Sequence, residues 1–332
     1  MQKTFLALSS ALAVLTGSVA FGDTRTEITV GYFLEWPMPF QYAKVNGTYE
    51  EEMGVTINWR SFDTGTAMNA AMASGDVQIS VSHGAPPFVI ATSAGQDLNM
   101  VDVAVSYSEN EGCVIRSALE IDQSNAAELA GKRVAAPLGT AAFYSFLKQM
   151  DHVGVDVATL NVLDMAPAES AAALSQGAID MACGWGGAFN RMKEVGNVLM
   201  TGAEKEEAGI LIFDATTVPA SFASEDGELL AKFLKVTADA NAMWSDGAHR
   251  DEMLPLVAKD AGMDEEAAAQ ALSRMAFPTI SDQLSAKWFG GGIQSYLVGV
   301  AQVFSEAKSI DAALPSYEAY LNTRPLTAAG EM

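Results

Sequence analysis

Apolar and polar positions along this chain trace one pattern twice. In the first half, Glu27 to Tyr32 predicts a strand and Val55 to Arg60 a second one. The run from Ala70 through Gly75 to Ile79 then predicts the end of a small-residue helix, a glycine stop and a third strand. In the second half, Lys132 to Pro137, Leu160 to Met165 and the run from Ala172 through Gly177 to Met181 take the matching places. Gly75 and Gly177 stand where a helix ends in a left-handed residue. Strands alternating with helices predict parallel sheets covered by helices, joined by right-handed crossovers. A single doubly wound sheet would give a similar pattern. Each half, however, restarts with its own strand, the second after the polar break Ser108-Glu109-Asn110-Glu111, so two lobes are the better reading.

Beyond Asp214 the pattern changes to a helical period, over 226–246, 253–261, 264–275 and 281–308. The predicted architecture is α/β with two lobes, each a mainly parallel sheet flanked by helices. Residues 23–108 and 215–332 form a discontinuous first lobe, and 109–214 an inserted second lobe. Ligands of such sheets bind outside the carboxyl ends of the strands, here in the cleft between the lobes.

Lys3 followed by the uncharged apolar stretch Phe5 to Val19 and small residues predicts a secretory signal peptide over 1–22. A hydrophobic first strand is the alternative, but the stretch lacks strand alternation. Cleavage leaves about 310 residues, enough for two cores. No cysteine marks a lipid anchor, and no later stretch reaches the ~18 apolar residues of a membrane span. The expected location is the periplasm.

The formal charge of −22, from 41 acidic and 19 basic residues, argues against a nucleic-acid partner. Two cysteines, Cys113 and Cys183, in an oxidising compartment suggest one disulfide, with two buried free thiols as the alternative. The three histidines, His83, His152 and His249, are scattered. No nucleophile–base pair or metal-ligand spacing is present, so neither catalysis nor a metal or cofactor is expected.

The loops after the strands carry the candidate ligand groups. Glu35 and Trp36 offer a counter-charge and a flat wall for an ammonium, unless Trp36 folds onto its own lobe. Asp63 or Thr64 reads as a helix N-cap. His83 and Gly84 precede an apolar helix whose first amides would suit an oxyanion, with His83 either ligand or structural. Thr140, after Gly139, opens another helix with free donors. Trp185, among glycines, fits a cleft wall. Asp214, flanked by apolar residues, needs a cation when buried, either a ligand ammonium or a nearby Lys or Arg.

The runs Asn58-Trp59-Arg60-Ser61-Phe62-Asp63-Thr64-Gly65, Ala73 to Ile79 and Leu129-Ala130-Gly131-Lys132-Arg133-Val134-Ala135-Ala136-Pro137 resemble the taurine, alkanesulfonate and nitrate group of ABC-importer binding proteins. The resemblance runs over nearly the whole mature chain. It implies a type II periplasmic-binding fold, a permease and an ATPase as partners, a taurine-like ligand, and no catalysis. A monomer is the default for such a receptor, and the residues themselves point to no direct membrane anchor. In that family an aspartate matching Asp214 meets the ammonium and an aromatic matches Trp185. Gly84 and Ala85 replace family serines, Ala141 and Ala142 replace hydroxyls beside Thr140, and Glu35-Trp36-Pro37 departs from the pattern. Hypotaurine, an N-methylated relative, a thiamine-precursor pyrimidine, and an exported enzyme on the same scaffold are the alternatives.

Overall fold

The computed structural model describes residues 25–107, 109–208, 210 and 212–332; the predicted signal peptide lies outside them. Eleven strands are present among the described residues: β1 (Glu27–Phe33), β2 (Thr56–Phe62), β3 (Ile79–Gly84), β4 (Leu98–Tyr107), β5 (Glu111–Arg116), β6 (Arg133–Ala135), β7 (Asn161–Leu163), β8 (Met181–Trp185), β9 (Gly196–Val198), β10 (Phe213–Pro219) and β11 (Met275–Ala276). They form two sheets, in the orders β11-β4-β10-β3-β1-β2 and β7-β6-β8-β5-β9.

The repeat read from the sequence becomes a repeat of topology. β2-β1-β3 and β7-β6-β8 are both parallel, with the earliest strand of each trio in the middle. Gly75 and Gly177 take left-handed φ values of 82° and 71° just after the helices Gly65–Ala73 and Pro167–Ser175. Their amides return to the carbonyls of Met72 and Leu174, which satisfies helix-end groups that would otherwise be orphaned.

Both sheets are mixed, where the sequence suggested mainly parallel ones. β10 runs antiparallel to β3 and β4, and β5 antiparallel to β8 and β9. The chain leaves the first sheet along β4 and returns along β10; it enters the second along β5 and leaves near β9. Outgoing and returning strands that lie side by side must oppose each other.

Helices cover the sheets and supply their cores. On the first, Phe233 of the helix Gly227–Asp246 stacks on Tyr49 with centroids 4.7 Å apart, over the buried β1 residues Ile28 and Val30. The single helix expected over 281–308 is broken into Ile280–Gln283 and Gly292–Glu306. Gly291 has φ 132°, and a side chain at Gly292 would meet the Lys287 carbonyl oxygen at 1.9 Å, so a tight glycine turn separates the two pieces. On the second sheet, Cys113 and Cys183 face each other across β5 and β8 and are joined as a disulfide. Among the described residues, no helix is long and apolar enough to cross a membrane.

Candidate functional site

The ends of β1, β3, β4, β8 and β10 converge with three helix starts, those of Gly65–Ala73, Ala85–Ser93 and Ala141–His152, around one small space. Its walls are Phe33, Gly65, Gly84, Pro87, Tyr107, Thr140, Ala141, Trp185 and Asp214, and it encloses about 280 Å³ including its open mouth. Much of that volume is the mouth; the room inside the walls is tight, so any ligand held there has few heavy atoms.

Asp214 is the only ionisable carboxylate in this lining and is 4 % exposed. Its Oδ2 accepts from the Ser82 hydroxyl at 2.7 Å and its Oδ1 from the Tyr107 hydroxyl at 2.8 Å. Among the described residues, no ion pair involves it. Burial pushes its pKa up from 3.8 to about 7; the two hydroxyls pull it back and the charge of Glu111 adds to the rise. The carboxylate is thus a buried acceptor held by neutral donors, and no described residue pairs it with a cation.

Around this carboxylate the walls are aromatic. Trp185 and Phe33 meet edge to face with centroids 6.0 Å apart, and Tyr107 adds a third ring. Trp185 and Phe33 also line the wider mouth outside, together with Glu35, Asp63 and Glu169. Rings beside a carboxylate favour a cationic group through their negative faces.

Another wall is a helix start. Thr140 caps the helix Ala141–His152: its hydroxyl accepts from the Phe143 amide at 3.3 Å and donates to the Pro137 carbonyl at 2.6 Å. That hydroxyl is therefore engaged in the cap, and the first-turn amides of Ala141 and Ala142 are the donors this end offers. The start of the helix Ala85–Ser93 is different. Pro86 and Pro87 fill its second and third positions, and neither carries an N–H. The oxyanion site expected after Gly84 is reduced to one amide, that of Ala85. Gly84 itself does line the space. A side chain there would come within 3.4 Å of Asp214 Oδ1, so its absence keeps the carboxylate open.

Three residues expected at the ligand lie elsewhere. Trp36 is 2 % exposed and belongs to the first-sheet core, its indole N–H donating to Ser82 Oγ at 2.9 Å. It stands behind the wall because the following Met38 and Phe40 anchor the loop in the same core. His83 is fully buried; its Nε2–H donates to the Gly65 carbonyl and Nδ1 is left to accept from Thr217, each at 3.2 Å. Burial lowers its pKa to about 4, so it is a neutral strut that fixes the start of the helix Gly65–Ala73. Glu35 sits at the rim, paired with Arg191 at 3.0 Å, and is not the counter-charge of the inner space. Sequence reasoning missed Phe33, Ser82 and Tyr107. Ser82 and Phe33 lay inside loops already singled out, and Tyr107 lay just before the polar break, at the end of an apolar run that predicts a strand.

Two helix-flanked α/β sheets with a small polar–aromatic site where their strand ends meet define the class: the periplasmic-binding-protein fold. The chain belongs to the NMT1/THI5-like family, whose description matches residues 38–246. It is 26 % identical to the taurine-binding periplasmic protein of Escherichia coli K12, over 96 % of this chain and 99 % of that one. Its fold resembles the alkanesulfonate-binding protein SsuA of Xanthomonas axonopodis pv. citri bound to MOPS (TM-score 0.71, 19 % identity, 93 % and 99 % of the chains). It also resembles the desulfurization enzyme DSZB (TM-score 0.63, 13 % identity, 92 % and 99 % of the chains), so the architecture alone does not separate binder from enzyme.

Proposed function

We propose that this chain is the exported, periplasmic solute-binding component of an ABC importer, and that it takes up taurine or a closely related small amino-sulfonate. In this reading residues 23–108 and 215–332 form one lobe and 109–214 the other. The lobes close on the ligand and present it to a membrane permease driven by an ATPase. Closure follows from differential binding: a ligand that touches Asp214 on one side and the Ala141–His152 helix start on the other favours the closed state.

The observation that carries the reading is Asp214. A buried carboxylate held by two hydroxyls, without a cation among the described residues and walled by rings, suits a ligand ammonium. The Ala141 and Ala142 amides at the helix start suit the sulfonate, and the tight space suits a small molecule. The similarity to the E. coli taurine-binding protein supports the same choice. A pyrimidine held between Trp36 and Trp185 is disfavoured by the burial of Trp36.

Calorimetric titration of the mature chain tests this, with taurine, hypotaurine, ethanesulfonate, betaines and pyrimidines as ligands. Tightest binding by an amino-sulfonate is expected. Tightest binding by a pyrimidine, or no response to any sulfonate, would overturn it.

A further inference from the structure

We infer that Trp36 and Ser82 are positioning residues that set the preference of the site for a ligand ammonium, although neither is among the residues lining it. The inference rests on the proposed role of Asp214 as the ammonium's partner.

Four residues from four separate segments close a ring of contacts. The Trp36 indole N–H donates to Ser82 Oγ at 2.9 Å, and Ser82 donates to Asp214 Oδ2 at 2.7 Å. Tyr107 donates to the other carboxylate oxygen at 2.8 Å. Trp36 and Tyr107 then meet edge to face with centroids 4.8 Å apart, completing the circuit. An indole N–H can only donate. By occupying a lone pair of Ser82 it leaves that hydroxyl's single proton to point at Asp214. Each carboxylate oxygen thereby receives one hydrogen bond from the protein and keeps a lone pair for the cavity. A carboxylate fixed in this way is preorganised for an N–H-bearing cation, and costs less to order when one arrives.

The backbone at Ser82 aims the hydroxyl. Ser82 is 1 % exposed yet adopts φ 58°, a left-handed conformation that glycine accepts more readily. The register against β10 shifts there: Ser80 faces Thr217 and His83 faces Ala215, so Val81 and Ser82 stand opposite Thr216 alone. This is a β-bulge, and bulges re-aim side chains. Here the re-aimed group is the hydroxyl on Asp214. Glycine would fit the backbone with less strain and would lose that hydroxyl.

The test compares taurine with isethionate, the same sulfonate with a hydroxyl in place of the ammonium, by calorimetry on the mature wild-type chain, Trp36→Phe and Ser82→Gly, with melting temperatures recorded in parallel. Wild type is expected to prefer taurine. Each variant is expected to lose about tenfold of that preference, with isethionate affinity within about twofold of wild type. The double variant is expected to add little, because the two act through one chain of bonds. Ser82→Gly relieves the left-handed backbone but leaves the buried Trp36 N–H without its acceptor, so it is expected to melt somewhat lower than wild type; loss of taurine affinity with isethionate affinity held is the combination that a merely structural role does not produce. Equal weakening of both ligands, or an unchanged preference in both variants, would overturn the inference. A wild type without preference for taurine would instead show that the ammonium site itself is misassigned, and the inference falls with it.

Discussion

The Glu35 carboxylate lies 3.0 Å from the Arg191 guanidinium, tying the loop after β1 to the helix Gly186–Lys193. The Glu35 carbonyl also accepts from the Gly187 amide at 3.2 Å, and Gly186 and Gly187 leave room for it; a side chain at Gly186 would meet that oxygen at 2.3 Å. The contact thus ties the loop after β1 to a helix over the second sheet, at the rim. Both side chains of the ion pair are more than a third exposed, so its contribution is about 0–1 kcal/mol and is screened by salt. Arg191→Ala is expected to weaken taurine binding by no more than about fivefold at low salt. Titrations at rising ionic strength should show the gap to wild type closing; a gap that persists at high salt would mean Arg191 acts on the ligand itself.

Asp214 should matter far more. Asp214→Asn keeps the shape and removes the charge, and taurine affinity is expected to fall by about ten- to a hundredfold, as for loss of a charged hydrogen bond. The same change removes a buried ionisable group, so the ligand-free variant should melt at or above the wild-type temperature at pH 8. Calorimetry and a thermal melt read the two effects separately, and unchanged affinity would remove Asp214 from the site.

The pH response follows with a definite sign. An ammonium binds the ionised carboxylate, and Asp214 ionises only through about pH 7. Taurine affinity should therefore weaken below pH 7, approaching tenfold per unit. Stability of the ligand-free chain runs the other way. With its value raised from 3.8 to about 7, folded Asp214 holds a proton that the unfolded chain has released, so its stabilising contribution is complete near pH 4 and lost as pH rises through 7. Asp102, raised to about 6, acts in the same direction. His83, lowered from 6.5 to about 4, opposes them, favouring the folded state as pH rises across that window. In the difference between Asp214→Asn and wild type the last two cancel. The melting temperature of the variant should gain on wild type from pH 4 to 7 and then level off. A flat difference across that range would contradict the assignment.

The disulfide should be a matter of stability alone. Cys113 and Cys183 are 70 residues apart and wholly buried between β5 and β8, and neither lines the ligand space. Closing a loop of that length stabilises by about 4 kcal/mol in the chain-entropy view. Denaturant melts of the doubly alanine-substituted chain should show a loss of that order, with taurine affinity at saturating folded fraction changed by less than about twofold.

Much of the frame was legible in the sequence because the repeat has a physical period: strand, helix, glycine stop, strand. Gly75, Gly177 and the polar break before Glu111 each mark a place where the backbone has few choices. Asp214, Trp185, Thr140 and Gly84 were legible as lining because strand ends face the cleft in this class of sheet. The rest was hidden by tertiary packing. Whether Trp36 faces a cleft or a core depends on the path of a loop, and Met38 and Phe40 decide it from two and four residues away. Tyr107 reaches Asp214 only because β4 and β10 become neighbours, across 107 positions of sequence. The two prolines after Ala85 were in plain view, and their missing N–H groups already ruled out a donor-rich helix start there.

The position of β10 bears on how the molecule is made. This strand lies between β3 and β4 in the first sheet, yet Asp214 is synthesised 132 positions after Ser82. Until it arrives, β3 and β4 have no shared partner, and the first sheet cannot close. A nascent or partly translocated chain therefore carries unsatisfied edges on β3 and β4 and no binding site, even with the whole of the earlier repeat available. Folding of the first sheet waits on the residues that follow the second. For a chain that must remain threadable until it has crossed a membrane, as the proposed export requires, that delay keeps the early segments loose. The strand that ends it is the one that brings Asp214 into place.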